Sequence, residues 1–205
     1  MIRPPHLRGA FTTGAEGDLR HGSKRAVSHS LGISPDWATV RQVHGHRVVM
    51  VTHPGDAGEG DGLLTSAPDV PIAVFTADCL GVIIEGDRGT AVAHAGWRGL
   101  QRGVVAAVIG EMVESGMHPL RAAIGPSIGP CCFEVGAEVL GEFPAEFHRE
   151  TTWQTPSLDL RAVAAGQLGG LDVWNADVCT RCGSDFFSHR RDGTSHRMAA
   201  VAWTS

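Results

Sequence analysis

The sequence predicts a single α/β domain over residues 1–205, built on a mixed sheet in the α+β manner, rather than a barrel or a Rossmann fold. Three observations carry this. Short β-branched and apolar runs recur along the chain, one long segment has a clear helical period, and strands and helices follow one another without a regular βαβ alternation. A chain of 205 residues is also long enough to bury a core without staples, and it suits one domain.

Taken in order, residues 14–24 are polar and glycine-containing, which predicts a loop, and 24–31 a short helix stopped at Gly32. Residues 48–52 are β-branched and predict a strand. Residues 53–62 are crowded with Pro, Gly and Asp and predict a loop. The continuous apolar runs 71–75, 82–84 and 90–94 predict strands buried on both faces. In 100–113 apolar residues fall at 100, 104, 105, 108, 109 and 112, the period of an amphipathic helix, with Gly116 as its stop. Residues 121–124 predict a strand running into a loop over 125–130. Further helices are predicted over 135–143 and 158–168, and strands over 172–178 and 198–203.

Composition removes whole classes of function. Seventeen Lys and Arg against 22 Asp and Glu give a formal net charge of −5, which argues against a generic nucleic-acid or anionic-membrane surface. No stretch approaches the ~18 consecutive apolar residues of a membrane span. Lys24 is the only lysine, so nearly all positive charge is arginine, the side chain suited to bidentate oxyanion recognition. The five cysteines, at 79, 131, 132, 179 and 182, are odd in number and include an adjacent pair. Without an apolar leader at the start, they predict a reduced, cytoplasmic protein whose thiols serve metal or chemistry. The 27 glycines pose a question: turns for folding, or loops for a site?

Three segments place a metal-competent side chain beside a strand end and a glycine: Arg41-Gln42-Val43-His44-Gly45-His46, Thr76-Ala77-Asp78-Cys79-Leu80-Gly81, and Ala93-His94-Ala95-Gly96-Trp97-Arg98-Gly99. Two histidines and a thiolate suit zinc with a fourth position left open, and the same donors suit copper. The bland reading of each histidine is a satisfied core residue.

These motifs, together with Ile124-Gly125-Pro126-Ser127-Ile128-Gly129-Pro130-Cys131-Cys132-Phe133-Glu134-Val135 and Phe186-Phe187-Ser188-His189-Arg190-Arg191-Asp192-Gly193, occur in an order that resembles the YfiH-like family, also called the laccase-domain or multicopper polyphenol oxidase family. The resemblance runs from about Phe11 to Trp203. It implies a single α/β domain of the type shared with the catalytic, deamidase domain of cytotoxic necrotising factor, and a zinc site at His44, Cys79 and His94. It implies phosphorolysis of adenosine, inosine and methylthioadenosine, with adenosine deamination. It also brings the older description of copper-dependent polyphenol oxidases and that of peptidoglycan editing factors. Lys24-Arg25 stands where the family often has Asn-Arg, and His189 where a tyrosine is frequent. His46 would share a strand face with His44, which makes it a substitute ligand.

On that resemblance the partners are a small-molecule purine nucleoside and inorganic phosphate, and the assembly a monomer or small homo-oligomer. Arg98, at the start of the 100–113 helix, is the expected phosphate contact, with a surface ion pair as its alternative; Arg41 is a weaker one, since a strand-edge arginine is usually solvated. Asp78 is the first carboxylate for a proton shuttle, or else a group that caps a turn or orients His94. Trp97 and Phe133 offer rings to a purine, against core packing as the alternative, and Cys131 and Cys132 wall the pocket. Cys179-x-x-Cys182 has the form of half a zinc ribbon but lacks a second pair of suitable spacing, so no metal is assigned to it. A separate reading makes Cys79 a nucleophile and His94 its base, as in a cysteine hydrolase or deamidase.

Overall fold

Side-chain alternation along the apolar strands divides the chain into four layers. The computed structural model describes residues 1–204. Thirteen strands follow in order: β1 Gly9–Phe11, β2 Ala38–Arg41, β3 Val48–Met50, β4 Gly55–Glu59, β5 Gly62–Thr65, β6 Ile72–Thr76, β7 Leu80–Gly86, β8 Thr90–Ala95, β9 Pro119–Ile124, β10 His148–Glu150, β11 Pro156–Leu158, β12 Asp172–Asn175 and β13 Met198–Ala202. The helices are α1 Arg25–Leu31, α2 Trp97–Gln101, α3 Val104–Glu114, α4 Ala137–Leu140, α5 Leu160–Gln167 and α6 His189–Asp192. A five-stranded sheet has the order β1-β13-β6-β2-β4 and a six-stranded sheet the order β12-β9-β7-β8-β5-β3; β10 and β11 form a separate hairpin. Both large sheets are mixed: β2 runs parallel to β4 and β6, and β9 parallel to β12, while β6–β13 and β7–β8 are antiparallel. The mixed α/β architecture expected from the sequence is the observed one.

Residues that alternate along one strand face opposite layers. Ile72 and Val74 of β6, with Ala200 and Ala202 of β13, pack against Ile83 and Val92 of the other sheet. Ala73, Phe75, Ala199 and Val201 point the other way, onto Leu19, Val27 of α1 and Trp37. On the far side of the six-stranded sheet, Val82, Ile84, Ala91 and Ala93 meet α3 and α5. The order is thus helix, sheet, sheet, helix. At Gly81 the two sheets approach closely: a Cβ there would lie 2.5 Å from Ala200 Cβ. Only hydrogen fits.

Several element expectations need correction. The helix expected over 100–113 is two helices, because Gly103 adopts a left-handed conformation (φ 75°) between α2 and α3. The apolar period survives in α3, whose Val104, Val105, Val108 and Met112 are buried. The helix expected over 135–143 shrinks to the single turn α4, bounded by Gly136 and Gly141. The loop expected over 53–62 contains β4, an exposed edge strand paired with β2, so it lacks the alternation that marks half-buried strands. No helix among the described residues is long and apolar enough to cross a membrane.

Gly81→Val would force a Cβ and two methyl groups between the sheets. The expected result is destabilisation of about 1–3 kcal/mol or more, seen as a fall in Tm, whereas Gly81→Ala falls less; a Val variant as stable as the parent would refute the close approach.

Candidate active site

The chain passes from the five-stranded to the six-stranded sheet in three places: between β2 and β3, between β4 and β5, and between β6 and β7. His44 lies in the first crossing, Asp61 in the second and Cys79 in the third, while His94 stands near the end of β8. The crossings are tight, and two site residues carry the strain. His44 has φ 60° and Asp78 φ 93°, the left-handed region that non-glycine residues rarely adopt.

Asp61 organises these parts. Its side chain is fully buried, and its two oxygens accept the consecutive backbone N–H groups of Val43, His44 and Gly45 at 3.2, 3.0 and 2.7 Å. Such a run of N–H groups forms a concave anion cradle. One carboxylate oxygen also lies 2.8 Å from His94 Nδ1, and the Asp61 carbonyl accepts the His94 N–H at 2.7 Å. Leaving each of these donors buried and unpaired would cost about 1–3 kcal/mol. Burial works to raise the Asp61 carboxyl, but the hydrogen bonds from His94 and Gly45 outweigh it and hold its pKa below the usual carboxylate value.

With Nδ1 committed to Asp61, His94 presents Nε2 to Cys79 and His44. The ligand atoms of His44, Cys79 and His94 lie within 4.8 Å of one another, and Cys79 Sγ is 3.9 Å from His44 Nε2. The two imidazole rings meet edge to face at 4.8 Å. A sulfur and a nitrogen on one tetrahedral zinc stand about 3.6 Å apart, so the donors need little movement to share an ion. Burial pushes the Cys79 thiol up; the positive charge of His94 and a hydrogen bond from His44 more than reverse it, to about 6. Burial likewise depresses His94, but the Cys79 thiolate and the Asp61 hydrogen bond raise it to about 9. Without metal the pair is therefore a thiolate and an imidazolium. Gly96 forms one wall, where a Cβ would stand 3.0 Å from Cys79 Sγ and 3.1 Å from His44 Cδ2.

The site opens into a cleft of about 230 Å³ lined by Arg20, Gln42, Phe75, His189 and Arg197 together with His44, Cys79 and His94. Gln42 is held by two hydrogen bonds to the Phe75 backbone, each 2.8 Å. Among the described residues no carboxylate comes within ion-pair range of the Arg20 or Arg197 guanidinium.

The other expected site residues lie elsewhere. Arg98 is exposed and folds its guanidinium over the Trp97 ring at 4.2 Å, and neither residue lines the cleft. Arg41 is exposed and pairs with Glu59 at 2.9 Å. Phe133 is buried under Arg190, at 5.2 Å from its ring. Cys131 packs beside the helical core and contributes to a separate group of four cysteines. Asp78 does not orient His94: its oxygens accept Thr180 Oγ1 at 2.7 Å and the Arg190 N–H at 2.6 Å. His46 does not share a strand face with His44, because residues 42–47 form a turn; it is exposed and outside the ligand group. Asp61, Arg20, Phe75 and Arg197 had no motif context to mark them. The one available signal for Asp61 was an acidic residue directly before a strand that otherwise reads as buried.

The family described as multi-copper polyphenol oxidoreductase laccase matches residues 15–205. A purine nucleoside phosphorylase of Streptomyces coelicolor is 37% identical over 195 residues, covering 88% of this chain and 81% of that one. One from Deinococcus radiodurans is 35% identical and covers 98% and 91%. The purine nucleoside phosphorylase YfiH of Shigella flexneri is 35% identical over 186 residues, covering 85% and 75%. Among solved structures, YlmD from Geobacillus stearothermophilus superposes with a TM-score of 0.79 at 31% identity, covering 89% and 79%. Bacillus licheniformis YfiH, at 24% identity, has a TM-score of 0.82 over 96% and 92% and so shares the fold.

Two outcomes test the electrostatics. In chelator-treated protein, alkylation of Cys79, followed by peptide mass spectrometry, should rise with pH to half its maximum near pH 6, against about 8.5 for an ordinary thiol. A midpoint above 8 would refute the thiolate–imidazolium pair. Asp61→Asn, which removes the charge opposite His94, should move that midpoint upward and weaken zinc binding by about 10–100-fold; unchanged zinc affinity by competition titration would show that Asp61 does not tune the ligands.

Proposed function

The chain belongs to the YfiH-like, laccase-domain family, and from that premise we propose that it is a purine nucleoside phosphorylase acting on adenosine, inosine and methylthioadenosine, with adenosine deamination as a second activity. The observation that carries this reading is one cleft that combines arginines with no carboxylate partner among the described residues, an aromatic ring and the His44–Cys79–His94 donor set. Those donors fit zinc, with copper the alternative for the same nitrogen and sulfur atoms. When bound, the ion supplies Lewis acidity to an oxygen in the cleft.

The chain's own groups then divide the work. Arg20 and Arg197 take the phosphate that Arg98 was expected to hold, because they face the cleft with charge to spare. Phe75 offers the purine a ring in place of Trp97 and Phe133. In phosphorolysis a phosphate oxygen bonds to C1′ as the N9–C1′ bond breaks, and the electron pair leaves with the purine. His189 lines the same cleft and is the proton donor to that leaving base. Asp61 keeps His94 in one orientation throughout. Asp78, whose oxygens are both engaged, is assigned to positioning the turn that carries Cys79.

A second reading has its own support. Cys79, His94 and Asp61 form a nucleophile, base and orienting carboxylate in sequence, with the thiol already ionised near neutral pH. This is the arrangement of a cysteine hydrolase. Metal-free protein that hydrolyses amides, with Cys79 acylated, would favour it.

A chromatographic assay with adenosine, with and without phosphate, tests the first reading. Adenine that requires phosphate is the expected product; inosine formed without phosphate reports deamination. Arg20→Ala and Arg197→Ala should each raise the KM for phosphate about tenfold, or about 1.4 kcal/mol. No turnover of any nucleoside, with phenol oxidation once copper is added, would refute it.

A further inference from the structure

Four of the five cysteines are not used by the site just described. Cys131 and Cys132 leave the loop after β9, and Cys179 and Cys182 stand in a turn near the C-terminus, about fifty residues away in sequence. The fold brings all four sulfurs within 4.8 Å of one another. Cys182 Sγ is 3.3 Å from Cys132 Sγ and 3.8 Å from Cys131 Sγ. A disulfide requires about 2.05 Å. Four thiolates around one zinc, each about 2.3 Å from the metal, stand about 3.8 Å apart along the edges of their tetrahedron. The spacings of 3.3 and 3.8 Å lie nearer the second figure than the first.

The surroundings are those of a thiolate cage. The Gly129 N–H donates to Cys179 Sγ at 3.2 Å, and the Arg181 guanidinium to Cys132 Sγ at 3.5 Å. Both offset negative charge on sulfur. A Cβ at Gly129 would stand 3.2 Å from both Cys131 Sγ and Cys179 Cβ, so a larger residue there would crowd the cluster. The two loops are fixed to each other independently of the sulfurs. Ser127 N–H donates to the Val178 carbonyl and Thr180 N–H to the Ser127 carbonyl, at 3.2 and 3.0 Å. Buried Arg161 reaches both loops, with hydrogen bonds to the carbonyls of Ser127 and Val178. Arg191 ties down the Cys179–Cys182 turn through the carbonyls of Thr180, Arg181 and Gly183.

We propose that Cys131, Cys132, Cys179 and Cys182 form a second metal site, a closed four-thiolate cage for zinc that is separate from the His44–Cys79–His94 site. Four protein ligands leave no open position, so the role is structural. The cage is also coupled to the cleft. Thr180, between two of the ligands, donates to Asp78, and Asp78 immediately precedes Cys79. An ion in the cage holds the Thr180 hydroxyl against the turn that presents the cleft's own thiolate.

The test removes the other site first. Full-length Cys79→Ala protein, purified with zinc alone, should retain about one equivalent of zinc. Its cobalt(II) form should show sulfur-to-metal charge transfer and the intense visible bands of tetrahedral thiolate coordination. Adding Cys182→Ser, at the most exposed of the four positions, should weaken zinc binding by more than the roughly 10–100-fold an outer partner is worth, with the circular dichroism spectrum retained. If Cys182→Ser does not fold, X-ray absorption on the Cys79→Ala protein decides: a shell of four sulfurs supports the cage, and a mixed nitrogen and oxygen shell overturns it. Zinc below about a tenth of an equivalent in folded Cys79→Ala protein also overturns it, as does a disulfide between Cys132 and Cys182. Because Cys79 is absent from every arm, failure of the nucleoside reading leaves these outcomes unaffected.

Discussion

A single buried carboxylate ties the two sheets to the chemistry. Asp61 sits where the chain leaves the exposed edge strand β4 and enters β5, a buried strand of the other sheet. It carries negative charge into a fully buried position, which is tolerable only because four donors converge on it. Those donors belong to two distant segments, 43–45 and His94. The carboxylate therefore does more than satisfy itself: it holds the His44 turn against β8 and leaves the outer nitrogen of His94 free for a ligand. The thiolate state of Cys79 follows from the same chain of charge, Asp61 to His94 to sulfur.

Packing supplies the rest of the positioning. The site lies on the inter-sheet side of β8, and the sheets close on each other through Gly81 and Ala200, residues small enough to bring the crossings at 42–47, 60–61 and 77–79 to one place. Asp78 then joins the 77–79 crossing to Thr180 and Arg190. Groups near the C-terminus thus fix a turn formed more than a hundred residues earlier.

The parts of this arrangement that were legible in the amino-acid sequence are those written in local pattern. Apolar runs marked β6, β7 and β8, and the 3.6-residue period marked α3, because burial acts directly on neighbouring residues. The His44, Cys79 and His94 motifs were visible as motifs, and the fold brings their atoms together. What local pattern does not carry is long-range pairing. β4 is exposed and polar, with no alternation to betray it. Asp61 looked like loop punctuation because its partners are backbone N–H groups, which leave no mark in a sequence. Spacing alone does not join the cysteines at 131–132 to those at 179 and 182; their proximity depends on the Ser127–Cys179 bridge between loops. At Trp97 and Arg98 the pattern is local but the placement is not: a helix start suggests an anion site, while the guanidinium lies on its neighbour's ring. The glycines divide along the same line, some serving turns and others, such as Gly81 and Gly96, giving up a side chain to make room.

The left-handed backbone at His44 sets stability against activity at one position. A residue with a Cβ costs roughly 1–2 kcal/mol there relative to glycine, and the Asp61 cradle holds it in place. Selection for thermal stability alone would favour glycine at 44, since the cradle's N–H groups would remain. The ligand would be lost and the fold would gain. Histidine at this strained turn costs the fold what glycine would not, and a stability-guided redesign of this scaffold would act against the proposed site at this residue.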